Sequence, residues 1–284
     1  MKQLWLFFFF FIISIHAQQF TAVDAIVRDY PKFNNVINLA NQITTDFETD
    51  TEKVRAVFIW LTANIRYDLE EYYNPKTKRI RFSYTTEKER IEKLVGIKNQ
   101  IVKETFETKK AICEGYAQSF KKICDLLHLE SKTIKGNVRN TISEIGVFSG
   151  ATNHAWNAVK IDNNWFLIDA TWASGYAINN QWKKHFNDAY FYPKPATFIR
   201  SHFPENNSWQ LLQRPYSKKE YTNQPIFGEA FLNTNYQLIS PKNGIVNDAK
   251  NSEIVVKIAN LKPSDRISFT FIGRYRNGQS YNGV

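Results

Sequence analysis

Three residues of this 284-residue chain, Cys113, His154 and Asp169, have the types and the order needed for nucleophilic attack on an acyl carbon. A thiolate is the attacking form of cysteine, and it needs a base nearby to take the thiol proton and later return one to the leaving amine. Histidine does both near neutral pH. A carboxylate on the far ring nitrogen fixes the tautomer and steadies the imidazolium. Each residue also has a plainer use: Cys113 as a small core residue, His154 at a strand edge, Asp169 as a strand-end cap. The elements that carry them decide between these uses.

Ala111 to Leu129 reads as one amphipathic helix. Cys113, Tyr116, Ala117, Phe120, Ile123, Cys124 and Leu127 recur at helical spacing and form one face to be buried. Cys113 falls in the first turn, where unpaired backbone N–H groups and the positive end of the dipole favour a thiolate, with Lys109 and Lys110 just upstream. Cys124 is the one other cysteine. Eleven residues of helix separate the two by about 16 Å, whereas a disulfide needs Cα atoms within about 7 Å. Both thiols are expected to be free, with Cys124 serving packing alone.

After the helix the period changes. Ser131 to Arg139 is a strand candidate interrupted at Gly136. His154 to Ile161 and Trp165 to Trp172 read as a hairpin turning over Asp162, Asn163 and Asn164. With an even-length loop, His154 shares a sheet face with the odd-numbered residues of the second strand, Asp169 among them. A bulge or odd loop would remove that relation. Helices followed by an antiparallel sheet give an α+β fold, a helix with an N-terminal cysteine packed on the sheet.

Other chemistries are weakly represented. No CxxC or HxxxH spacing occurs, and His128, His185 and His202 stand isolated, so no metal and no cofactor is expected. Glu114 and Asp169 could supply a carboxylate pair for glycosidase chemistry, but Glu114 is more simply an acid in a first helical turn. No glycine-rich phosphate loop appears. The net charge of +10 suits acidic partners such as an anionic envelope polymer, and equally simple solubility, because Lys and Arg are spread along the chain. One dense basic run, Lys76 to Arg81, is flanked by Tyr73, Phe82 and Tyr84. It could bind single-stranded nucleic acid, but a solvated loop is the simpler reading and nucleic acid is not expected as a partner.

Residues 1–17 carry one basic residue, an uncharged apolar run from Leu4 to Ile15 and a small residue at Ala17, the pattern of a secretory signal peptide cut before Gln18. The run is short for a membrane span and no later segment is long enough, so a secreted or periplasmic cell-envelope protein without an integral span is expected. Helices are expected at Asn34 to Ile43, from a cap at Asp50 or Thr51 to near Tyr67, and from a Thr86/Glu89 capping box to about Val102 with Ile91, Leu94, Val95 and Ile101 facing inward. Residues 18–225 then form one domain. In residues 226–284, short strands at Tyr236 to Ser240, Ile254 to Ile258 and Arg266 to Ile272 suggest an all-β, immunoglobulin-like segment too short for a full sandwich.

The blocks CEGYAQSFKKICDLLHL and NHAWNAVKIDNNWFLIDATW resemble the transglutaminase-like superfamily of papain-like folds. The later HFPENNSWQLL resembles its kyphoscoliosis peptidase branch and secreted bacterial relatives. The resemblance runs from about Asp50 to Pro225. It implies Cys113 as nucleophile, His154 as base, Asp169 as orienting carboxylate, and acyl transfer from protein or peptide amides to water or to an amine, hydrolysis slightly favoured. Some members of this superfamily have lost triad residues and serve as scaffolds, so a non-catalytic envelope binding module is the alternative. For the oxyanion, the backbone N–H of Cys113 is the safest donor. Trp60 or Tyr67 could add a side-chain donor, although core packing is the simpler role for both. No counterpart of the calcium sites of animal transglutaminases is identifiable.

Overall fold

The computed structural model describes residues 12–75, 82–232, 234–246, 254–274 and 280–283. The first 11 residues and the basic run Lys76 to Arg81 lie outside them. Three helices come first: α1 (Ile12–Arg28), α2 (Val36–Asp46) and α3 (Asp50–Asn64). Helix α1 ends three residues before Pro31. Helix α3 opens on Thr49, whose side chain accepts from the Glu52 N–H while the Glu52 carboxylate accepts from the Thr49 N–H, so the capping box sits one residue before the expected Asp50. It is buried nearly all round: Val54, Arg55, Ala56, Val57, Phe58, Ile59, Trp60, Leu61 and Thr62 all lie inside. Such a helix belongs in the middle of a core.

Strand β1 (Arg66–Tyr67), helix α4 (Leu69–Tyr73), helix α5 (Glu87–Thr108), strand β2 (Lys110–Ala111) and helix α6 (Cys113–Leu126) follow. Thr86 caps α5, its side chain accepting from the Glu89 N–H, but the expected capping box is not closed, because the Glu89 carboxylate accepts from Thr85. The helix runs six residues past Val102, however, and Ile91 and Val95, expected inward, are half exposed. Burial on α5 begins at Val102 and continues through Thr105 and Phe106, where the helix meets α6. Gly115 permits that meeting: a Cβ there would stand 2.6 Å from Ala111 Cβ and 2.7 Å from Thr105 Oγ1.

Strands β3 (Ser131–Val138), β4 (His154–Ile161), β5 (Asn164–Ile168) and β8 (His202–Pro204) form one sheet in the order β5-β4-β3-β8. Gly136 does not interrupt β3; it pairs with Pro204 of β8. The β4–β5 hairpin turns over Asp162 and Asn163, both at positive φ, which is the two-residue turn whose twist suits antiparallel strands. Strand β5 ends at Ile168, four residues before the expected end, because Asp169 starts a short helix α7 (Ala170–Ser174). A second hairpin, β6 (Gly175–Ile178) and β7 (Gln181–Lys184), turns over Asn179 and Asn180, also at positive φ. Helix α8 (Pro195–Phe198) precedes β8. Toward the C-terminus, β9 (Gln237–Ser240) pairs with β10 (Lys257–Ala259), and β11 (Phe271–Arg274) with β12 (Ser280–Gly283).

By compactness the chain divides into Met1–Thr133 with Trp156–Tyr192, and Ile134–Ala155 with Pro193–Val284. The first unit holds the main core, with Trp60, Tyr116, Phe58, Phe106 and Phe120 among its largest buried side chains. Inside it, Arg55 donates to both carboxylate oxygens of Asp24 at 2.7 Å and to Asp188, and the rings of Phe20, Phe58, Phe186 and Phe191 surround its guanidinium. The second unit has a smaller apolar cluster, Ile199, Phe203 and Tyr221. None of the described helices is long and apolar enough to cross a membrane.

Candidate active site

Cys113 is the first residue of α6 and is partly exposed. Ile112 precedes it as N-cap, and its apolar side chain offers no hydrogen bond to the amides of that first turn. Two features fix the turn. Strand β1 pairs in parallel with β2, Tyr67 opposite Ala111, and the Asp68 N–H donates to the Ala111 carbonyl at 3.0 Å. One turn into α6, the Tyr116 hydroxyl donates to the Ile65 carbonyl at 2.7 Å and accepts from Ser174 Oγ at 3.1 Å. The expected helical face holds: Tyr116, Ala117, Phe120, Ile123, Cys124 and Leu127 are all buried.

The two cysteines are both free, as expected. Cys124 is completely buried, and loss of solvation pushes its thiol up to about 12. It is a core residue.

Asp169 is 1% exposed and serves as N-cap of α7, its Oδ1 accepting from the N–H groups of Thr171 at 2.8 Å and Trp172 at 3.0 Å. The cap engages one carboxylate oxygen and fixes the orientation of the other. Burial, and then the charges available to Cys113, Tyr72, Asp169 and Tyr116, hold the Tyr67 phenol well above the ordinary tyrosine range. One phenol thus lies within electrostatic reach of both Cys113 and Asp169.

His154 opens β4 and is 7% exposed. Three residues along the strand, Asn157 Nδ2 donates to the Ala117 carbonyl of α6 at 3.0 Å and to the Lys132 carbonyl at 3.3 Å. The hairpin loop is even, which was the condition for the shared-face argument. The paired stretch nevertheless runs only from Asn157 opposite Ile168 to the turn, short of both His154 and Asp169. The helix cap places Asp169, and sheet parity does not reach it.

His202 is not the isolated histidine its sequence position suggests. It is buried on β8, its ring 5.6 Å from that of His154 in an edge-to-face arrangement, stacked on Phe198 at 3.8 Å and hydrogen-bonded through Nδ1 to Ser201 Oγ at 2.8 Å. Sequence reading had one signal for it, the apolar flank of HFP, and nothing to say which strand it would join. His154, Asp169 and His202 are residue types that ligate metals. Asp169 caps a helix and His202 holds a serine, so each already has a structural partner.

Comparison with known proteins agrees with this architecture. Residues 37–170 match the Transglutaminase-like superfamily. Human kyphoscoliosis peptidase is 30% identical over 271 residues, covering 94% of this chain and 37% of that protein, and the mouse protein is 29% identical over 264 residues, covering 91% and 36%. The chain therefore spans a little over a third of the length of these curated relatives. A solved structure titled as a TGase aligns with 64% of this chain and 40% of its own, with a TM-score of 0.32 at 19% identity. The mixed helix and antiparallel-sheet architecture is the transglutaminase/papain-like fold, and the stretch matched to the transglutaminase-like superfamily contains Cys113, His154 and Asp169.

Proposed function

We propose that this protein is an exported thiol enzyme that transfers acyl groups from protein or peptide amides, with Cys113 as nucleophile, His154 as general base and acid, and Asp169 as the carboxylate that orients His154. The observation that carries the reading is that Cys113 opens α6 two residues after the Ala111 that pairs with Tyr67, and that Cys113 and the Asp169 carboxylate both lie within electrostatic reach of the Tyr67 phenol. His154 opens the strand whose Asn157 donates to the Ala117 carbonyl of α6.

In the reaction, His154 takes the thiol proton and the sulfur attacks the amide carbon. The oxyanion receives the N–H of Cys113. His154 then gives its proton to the departing nitrogen, the C–N bond breaks, and a thioester remains on Cys113. Water, or an amine, loses a proton to His154 and attacks the thioester, and the thiol is restored as the acid or new amide leaves. Hydrolysis is favoured over cross-linking. Export follows from the charged, apolar and small-residue sequence of residues 1–17.

The test is acyl-enzyme trapping. Protein incubated with an activated peptide ester should gain the acyl mass on Cys113, and Cys113→Ala should abolish turnover. The reading falls if Cys113 reacts with iodoacetamide no faster than an unstructured thiol and Cys113→Ala leaves every activity intact. The burial of His154 against His202 favours one second reading, a non-catalytic binding module on the same fold, which is the state that negative outcome would describe.

A further inference from the structure

Beside Cys113 the surface is aromatic. Tyr67, whose strand pairs with Ala111 two residues before the thiol, has the Trp182 ring 5.7 Å away at 30° and the Tyr72 ring 5.8 Å away at 58°. Tyr73 continues the group 5.1 Å from Tyr72, edge to face. Tyr72 is 55% exposed and Tyr73 53%, on a helix that buries none of its residues, while Tyr67 and Trp182 are partly covered. Two exposed rings that continue two partly covered ones make an aromatic surface of the kind that binding covers. Gly175 makes room for one wall. Its φ of +156° is one that side chains rarely adopt, and a Cβ there would lie 2.6 Å from Trp182 Cζ2 and 2.2 Å from the Lys183 carbonyl.

Resting on the thiol-enzyme reading above, we propose that Tyr67, Tyr72, Tyr73 and Trp182 form a substrate subsite that takes a large apolar or aromatic side chain of the acyl donor. The occupant is argued from position and charge. The patch begins at the residue whose phenol is in electrostatic reach of the nucleophile, so a side chain lying on it belongs to the peptide being attacked. A cationic side chain could also stack on these rings. Arg66, Lys110 and Lys183 on one side and Asp68, Glu70 and Glu71 at the start of α4 on the other leave the surroundings near neutral, so no excess of acid draws a cation onto the rings in place of an apolar side chain. A small side chain would leave the rings wet.

The test uses short peptidyl ketones that alkylate Cys113, each with Phe, Arg or Ala at one of three positions before the reactive carbon, and iodoacetamide as a probe without a side chain. At one position, Phe should label at least about tenfold faster than Ala or Arg. In Tyr72→Ala and Trp182→Ala the Phe-to-Ala ratio should fall to within about twofold. Tyr72 is exposed, so its variant tests the subsite even where the loss of Trp182 prevents folding. The subsite is overturned, with the thiol reading intact, if iodoacetamide reacts quickly yet no position separates Phe from Ala, if Arg is preferred, or if Tyr72→Ala keeps the preference. Sluggish iodoacetamide labelling of the wild type overturns both.

Discussion

Asp169 has two jobs that a single substitution can separate. Its Oδ1 caps α7, a task asparagine performs about as well. Its charge, in the proposed mechanism, steadies the imidazolium of His154. Asp169→Asn should therefore melt with the wild type but lose about three to four orders of magnitude in turnover, whereas Asp169→Ala should also lose about 1 kcal/mol of stability. Thermal melts beside initial rates decide it: equal turnover in Asp169→Asn would remove the carboxylate from the mechanism. The side chain's dual use also explains what could be read in advance. The types Cys, His and Asp and their order were legible, because chemistry restricts them. A cap was among the plainer uses of Asp169, but the helix it caps was hidden inside an apolar, aromatic stretch that reads as uninterrupted strand, and His202 gave no hint of its neighbour because that contact depends on tertiary pairing. A further consequence lies at Cys124, whose thiol is held near 12 against an ordinary 9.0. A raised folded value means that its contribution to stability is whole below about pH 9 and is lost as pH climbs toward 12. Urea midpoints measured from pH 8 to pH 11 should fall for the wild type and fall less for Cys124→Ala.

At the scale of elements, α3 is the beam on which the first unit is built, and its one buried cation, Arg55, is the point at which that arrangement depends on charge. Arg55 compensates Asp24, itself 8% exposed. Arg55→Leu would leave that carboxylate buried and unpaired and should cost about 3–5 kcal/mol, with much of the loss recovered when Asp24→Leu is added. Urea denaturation of the single and double variants checks this, and additive losses would show that the pair is not coupled. Periodicity announced α6 and the β4–β5 hairpin because each has one face in the core and one out. It misassigned Ile91 and Val95 of α5, whose apolar stripe starts before the helix reaches α6. Spacing reports a stripe; only packing says where along the helix the stripe is used. Helix α3 was expected as a helix, but its spacing gave no sign that Val54 to Thr62 would be buried nearly all round.

For the whole molecule, the expected cut after Ala17 falls within α1. The described anchors of that helix to the core, Phe20, Val23, Asp24 and Val27, all follow the cut. Protein beginning at Gln18 should therefore match the thermal midpoint of the full chain within about 2 °C, and N-terminal sequencing of the exported form should read Gln18 first. A markedly lower midpoint would mean that residues before the cut hold the fold. The fully enclosed Cys124 gives the molecule a built-in recorder of its own breathing. Because its sulfur meets solvent only when α6 lifts from the core, the slow incorporation of an alkylating tag at that position, under conditions where the folded form predominates, counts opening events. When reclosing outpaces tagging, the rate divided by that of a free thiol is the fraction of molecules open at any moment. Opening of the core that carries the proposed nucleophile can thus be timed at a thiol the chain already bears, with no residue introduced for the purpose.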